Sequence, residues 1–170
     1  MPSTLPVPIN FRLPDGWQAA PPDEVGAPGA AFVALHPASR DGFTANITIS
    51  GEVRNDVATL EEIADESVER LRRASSQLVV TDRREVGTPD APGFSQVVRL
   101  VADVDGTPRQ LVQTQVYLSL LDVDDPRRRV VLELVLTSTV GQLATVIGDF
   151  QRFLRTVRPL TPGDRTSPDG

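Results

Sequence analysis

At 170 residues the chain has room for one folding unit, and 39% hydrophobic against 24% charged residues places it with globular rather than disordered sequences. A formal charge of −6, with no cysteine and no lysine, excludes nucleic-acid binding by a basic surface as well as thiolate, disulfide, Schiff-base and P-loop chemistry. One histidine cannot build a His-rich zinc site, so neither a metal nor a cofactor is expected.

All 17 basic residues are arginine, which, with the abundant Ala, Val, Asp and Pro, reads as the composition of a GC-rich genome. The first residues, Met1-Pro2-Ser3-Thr4-Leu5-Pro6, have neither the basic start nor the apolar run of a signal peptide. No apolar stretch approaches the ~20 residues that span a bilayer. The expectation is a cytoplasmic protein with no membrane association.

In chain order, a Pro- and Gly-rich arm covers residues 1–30 and holds one extended piece at 9–13. An apolar run at 31–36, ended by Pro37, predicts a strand. Residues 43–54 alternate, with Phe43, Ala45, Ile47, Ile49 and Val53 on one face and Thr44, Asn46, Thr48, Ser50 and Glu52 on the other. A helix follows. Thr59 is placed to cap it with Glu62 as the capping-box partner, and Leu60, Ile63, Ala64, Ser67, Leu71 and Ala74 form its inner stripe. Glu66 with Arg70, and Glu69 with Arg73, stand at favourable i,i+4 spacing.

Strands are expected at 78–86, 94–104, 110–121 and 129–138. Asp105-Gly106 marks a two-residue hairpin because both turn positions need positive φ, and 122–128 is read as a turn. A second helix starts at Thr139, with Gln142 at the matching capping position. It buries Leu143, Val146, Ile147, Phe150 and Leu154, gathers Arg152, Arg155 and Arg158 at its end, and stops at Pro159. Residues 161–170 read as a disordered tail after a single domain spanning 1–160. The expected order is β-β-β-α-β-β-β-β-α, an α+β fold in which helices pack on a central antiparallel sheet.

Candidate chemistry is sparse. His36, before Pro37, has no nucleophile motif to serve and reads as a structural histidine. Asp122-Val123-Asp124-Asp125 begins like a calcium loop, but Pro126 and Arg127 break the pattern. Arg83-Arg84 and Arg127-Arg128-Arg129 lack an aromatic platform for bases and read as solvated turns. The second sheet face is more informative. Alternation assigns to it Thr44, Asn46, Thr48, Val97, Arg99, Val101, Gln113, Gln115, Tyr117, Val131, Glu133 and Val135. Two readings stand: the arm, with Phe11 and Trp17, folds across it, or it is a protein-binding surface carried by Asn46, Thr48, Arg99, Gln113, Gln115, Tyr117 and Glu133.

Leu13-Pro14-Asp15-Gly16-Trp17, the Phe-x-x-Asn-Ile pattern at Phe43, Asn46 and Ile47, and the closing helix with Phe150 and Phe153 resemble the Mog/PsbP-like superfamily. Within it they resemble the actinobacterial LpqN/LpqT-like family, over about residues 5–158 but without a lipoprotein signal or a lipidated cysteine. The resemblance implies an α/β/α sandwich and a non-enzymatic role, since that superfamily includes a Ran-binding factor, a photosystem extrinsic subunit and secretion-associated chaperones. The expectation is therefore a protein-binding adaptor or chaperone-like module. A small-ligand-binding domain, an enzyme built on carboxylate or arginine, and a structural homodimer are the alternatives.

Overall fold

The computed structural model describes residues 5–159 except 26, 28, 38, 40, 41, 76, 90 and 122–126. The calcium-like run at 122–125 and the tail at 161–170 lie outside the described residues. Seven antiparallel strands form one sheet in the order β2-β3-β4-β8-β7-β6-β5. They are β2 (Gln18–Ala20), β3 (Phe32–Leu35), β4 (Asn46–Val53), β5 (Leu78–Gly87), β6 (Pro92–Val104), β7 (Thr107–Leu121) and β8 (Arg129–Thr139). Two helices pack on it: α1 (Leu60–Ala74), between β4 and β5, and α2 (Val140–Thr156), after β8. A separate two-residue ribbon pairs β1 (Ile9–Asn10) with β9 (Arg158–Pro159).

Two strands in this order escape the sequence pattern. Gln18–Ala20 is too short to alternate and exists through its pairing with β3, and β9 exists through its pairing with β1. Pro159 therefore does not end α2. The helix closes at Thr156 with Val157 as its C-cap, and Arg158 belongs to the ribbon rather than to the helix end.

The strongest local signals fold as their chemistry demands. Asp105 and Gly106 both take positive φ, 51° and 84°, and join β6 to β7 in register from Val104↔Thr107 onward. Thr139 and Gln142 make the reciprocal capping box of α2, with N–H···O distances of 3.1 and 2.9 Å. Thr59 Oγ1 accepts from the Glu62 N–H at 3.1 Å to start α1.

Strand alternation sorts the core onto two sides. Ile47 and Ile49 of β4, Leu132, Leu134 and Leu136 of β8 and Val116 of β7 face α2, where they meet Val146, Phe150 and Phe153. The opposite residues of the same strands, with β6, face α1: Tyr117, Val131 and Phe94 under Ile63 and Ala64, then Val98, Leu100 and Leu111 under Val68. The result is an α/β/α sandwich. The inner stripe of α1 includes Val68 and leaves Ala74 exposed. Phe43, ahead of β4, drops out of the alternation and packs with the Val68 group. Among the described residues, no helix is long and apolar enough to cross a membrane.

Phe11 and Trp17 of the arm lie on the α2 side, not across the α1 side. Phe11 meets Phe32 edge-on at 4.8 Å and Phe153 at 5.5 Å, and the Trp17 indole N–H donates to Asp149 Oδ2 at 3.0 Å. Edge strand β5 carries a bulge. Thr81 pairs with Val97 and Arg84 with Ser95, so Asp82, at φ 53°, and Arg83 together oppose Gln96. The extra residue turns Arg83 toward α1, where it donates to Gln96 Oε1 at 3.0 Å and to Asp65 Oδ1 at 2.6 Å. Arg83 is thus a clamp between the edge strand and α1 rather than a solvated turn residue.

The arginines beyond β4 are also structural. Arg54 donates through both edges of its guanidinium, to Asp56 at 2.7 and 3.1 Å and to Glu66 at 2.8 and 3.0 Å, and it reaches Glu52 at 3.0 Å. Glu66 thus bonds Arg54, and Arg72 rather than Arg73 lies beside Glu69, at 3.6 Å. Arg129 donates to the Arg54 carbonyl at 2.9 Å. The Arg54 hydrogen bonds hold the Asp56 and Glu66 carboxyls below their ordinary values of 3.8 and 4.5. A depressed folded-state pKa stabilises above the unfolded value, and that stability is lost as pH falls through the folded one. Arg54→Ala is therefore expected to lower the melting temperature by a few degrees at pH 7, a modest loss because the carboxylates are solvent-screened. The gap to the parent protein should narrow below pH 4.5 and again in high salt, and a thermal melt series over pH checks this.

Candidate functional site

On the α1 side, β7 presents Gln113, Gln115 and Tyr117, β8 presents Val131, Glu133 and Val135, and β4 presents Asn46, Thr48 and Ser50. The register sets these as rows: Tyr117–Glu133–Ser50, Gln115–Val135–Thr48 and Gln113–Thr137–Asn46. Helix α1 crosses β6 and β7 and stops short of β4. It seals Gln115 and Tyr117, which are 1% and 0% exposed, and leaves Asn46, Thr48, Gln113 and Glu133 half-buried along its flank.

Six of the seven candidate residues thus share one face, four of them at its open shoulder. Gln115 and Tyr117 are interior groups rather than surface contacts. Arg99 is on the other side of the sheet: its neighbours Val98 and Leu100 lie under α1, so Arg99, with Val97 and Val101, points away and is exposed. Both parities of β6 are apolar around Arg99, so alternation alone gave the wrong phase. Val97, Val101 and Thr44 leave the predicted surface as well; Thr44 precedes β4.

A continuous polar chain runs beneath α1. Gln96 Nε2 donates to Gln115 Oε1 at 2.7 Å and to the Ala64 carbonyl at 3.3 Å, while Gln115 Nε2 donates to Gln113 Oε1 at 2.8 Å. The Tyr117 hydroxyl donates to Gln115 Oε1 at 2.9 Å and lies 3.4 Å from Glu133 Oε1. Buried amides satisfied in this way fix side-chain positions, since each would lose water without replacement if displaced. Burial, then the neighbouring Glu133 charge, raises the Tyr117 hydroxyl above its ordinary value of 10.0, so it stays protonated. Burial also raises the Glu133 carboxyl above 4.5, against the opposing pull of Arg70.

Glu133 opens into a cleft of about 210 Å³ floored by Ser50, Val131 and Tyr117 and walled by Ile63 and Arg70 of α1 and by Gly29. The sequence pattern places Ser50 on a strand face, Ser67 on the helix stripe and Arg70 in a helical ion pair, and makes none of them a site candidate. The available signal was Ser67 as the one polar residue on the inner stripe of α1, with Arg70 one turn on; the two are joined by an Nη2–Oγ bond of 2.9 Å. His36 lies outside this region, beside Trp17 at 5.1 Å and with Nδ1 3.3 Å from Ser39 Oγ. Among the described residues, no three His, Asp or Glu side chains group where a metal ion would sit.

No family model matches the sequence, and no curated protein does. Solved structures do match the fold over nearly the whole chain. LpqN of Mycobacterium tuberculosis, involved in cell envelope biogenesis, aligns with a TM-score of 0.61 at 11% identity, over 92% of this chain and 86% of its own. Cyanobacterial PsbP from Synechocystis aligns at 0.61 and 12% identity, over 89% and 86%. The yeast Ran-binding protein Mog1p aligns at 0.55 and 16% identity, over 88% and 89%. The fold is of the Mog/PsbP type. At these identities the likeness is one of architecture, and the Mog/PsbP-like scaffold here carries its own side chains at the open shoulder, Asn46, Thr48, Gln113 and Glu133.

Proposed function

We propose that this Mog/PsbP-like chain is a non-enzymatic protein-binding module, an adaptor or chaperone-like component, and that its contact surface is the shoulder of the sheet beside α1. One observation carries the reading. The same face that is sealed under α1 at Gln115 and Tyr117 stays half-open over β4 and β8, with Asn46, Thr48, Gln113 and Glu133 around the largely buried Val135 and Thr137. A mixed apolar and polar strip on a rigid sheet suits a protein contact, because its donors and acceptors are held in place before binding. The shared fold with a protein named for binding Ran supports the reading by analogy.

The test compares three baits in affinity capture from a cell extract: the parent protein, Thr48→Arg at the shoulder and Arg99→Glu on the far face. Thr48→Arg is expected to reduce recovery of the principal partner about tenfold or more, the effect of losing ~1.4 kcal/mol of binding. Its melting temperature should stay close to the parent's, and Arg99→Glu should capture normally. Equal recovery by the Thr48→Arg bait would remove the shoulder as the contact surface.

A further inference from the structure

The cleft beside α1 contains a carboxylate that the fold itself leaves poorly compensated. An ionised carboxylate offers about four lone-pair positions. At Glu133, the Tyr117 hydroxyl stands 3.4 Å from Oε1 and Arg70 Nη2 stands 4.0 Å from Oε2, both at the outer limit of a bond. The Ser67 hydroxyl also reaches the group, but Arg70 commits the same Nη2 to Ser67 Oγ and is 61% exposed. Glu52, on β4 at the mouth, adds a second negative charge; it is held by Arg54 at 3.0 Å yet remains more than half exposed.

We propose that this cleft seats one cationic side chain, arginine or lysine, projected by the protein partner, with the Glu133 carboxylate as its counter-ion. The inference rests on the protein-binding reading above and adds the chemistry of the guest. Three features favour a cation on an aliphatic stem. The cleft is lined by two carboxylates, Glu133 and Glu52, and one guanidinium, Arg70, and the Arg54 that holds Glu52 from outside is shared with Asp56 and Glu66. Ile63 and Val131 line the way down to the charge, which suits methylene groups leading to a charged head. The space of about 210 Å³ fits one side chain and falls below the ~300–1,000 Å³ of ordinary small-molecule pockets.

The titratable and charged groups facing Glu133 are Tyr117 from β7, Arg70 from α1 and Glu52 from β4, beside the neutral Ser67 hydroxyl of α1. A cation binds the ionised form of Glu133, so binding is linked to the loss of its proton. Its affinity is raised above the ordinary 4.5, so binding should strengthen as pH rises through that raised value. Arg70 competes with the guest for the same charge. Its removal should therefore tighten binding, which a purely structural role for Arg70 would not do.

The probe is the blocked tripeptide acetyl-Gly-Arg-Gly-amide, with its lysine counterpart and an uncharged citrulline control, titrated to millimolar concentration while backbone amide NMR shifts are followed. We expect saturable shifts at Ser50, Val131 and Glu133 with the arginine or lysine peptide at pH 8. They should be lost in Glu133→Gln, weaker at pH 5, and reached at lower concentration in Arg70→Gln. Glu133→Gln should also melt above the parent at pH 7 and level with it near pH 4, because a carboxyl raised in the folded state loses stability as pH climbs above the unfolded value of 4.5; a folded variant shows that loss of binding is not loss of folding. No shifts, equal shifts with citrulline, or shifts that survive in Glu133→Gln would overturn the proposal. The two readings fail separately. A Glu133→Gln bait that still captures the partner, where Thr48→Arg does not, removes the cationic guest and leaves the binding module standing.

Discussion

Replacing Phe150 by alanine is expected to cost about 3–5 kcal/mol of folding stability, the range for truncating a fully buried aromatic ring. Phe150 is 0% exposed and stacks with Phe153 at 6.3 Å, in the cluster that holds Ile47, Ile49 and the leucines of β8. The cost has two parts. The ring's transfer to water is lost, and the rigid sheet beneath closes little of the cavity left behind. A helix of α2's length draws most of its stability from such packing rather than from its own hydrogen bonds. Urea unfolding should show the loss as a lower midpoint, with a fall in melting temperature of about 10 °C or more. Thr145→Ala, at an exposed position on the same helix, should change stability by less than ~0.5 kcal/mol. A loss below ~1 kcal/mol for Phe150→Ala would mean that α2 is not seated on the sheet as described.

The second large effect belongs to the glutamine pair under α1. Gln115→Leu keeps the volume of the side chain but takes from the Tyr117 hydroxyl its 2.9 Å acceptor, leaving it the 3.4 Å approach to Glu133 and the Ser67 hydroxyl. Gln96 Nε2 then has only the 3.3 Å bond to the Ala64 carbonyl. Gln96→Leu takes a donor from Gln115 Oε1 and the 3.0 Å acceptor from Arg83 Nε. Leaving buried polar atoms short of partners costs about 1–3 kcal/mol per group, so each single change should lose about 2–3 kcal/mol. The double change deletes donor and acceptor together. It should cost less than the sum of the two by ~1 kcal/mol or more, a coupling that a double-mutant cycle in denaturant reads directly. Strict additivity would mean that the two amides are bonded elsewhere, and the network under α1 would have to be redrawn.

The sequence is legible where one residue type answers one local need. Asp105-Gly106 supplies two positive φ values in a two-residue turn, and Thr139 with Gln142 supplies an acceptor and a partner three residues apart. The alternation of β4 from Asn46 to Ser50 is equally plain because one side is apolar and the other is not. Legibility fails where the deciding contact is distant. In β6, Val97 and Val101 compete with Val98 and Leu100, and only the position of α1 chooses the inner set. Gln115 and Tyr117 look like part of an exposed polar face; they become interior because they bond with each other and with Gln96 beneath a helix distant in the chain. The Glu133 cleft has the same origin. It depends on where α1 ends across the sheet and on Gly29 approaching from the arm, and neither follows from local pattern.

The small ribbon between Ile9–Asn10 and Arg158–Pro159 has a topological consequence. It holds residues 9–10, near the start of the described fold, against residues 158–159 at its close, so the fold is entered and left at one corner. A polypeptide built this way can be spliced into a surface loop of another protein without prising that loop apart. It can also be re-cut elsewhere, at the Asp105-Gly106 turn for instance, and rejoined across the corner by a short linker. The fold is thereby suited to travel between hosts as a cassette, with the Glu133 cleft carried along intact.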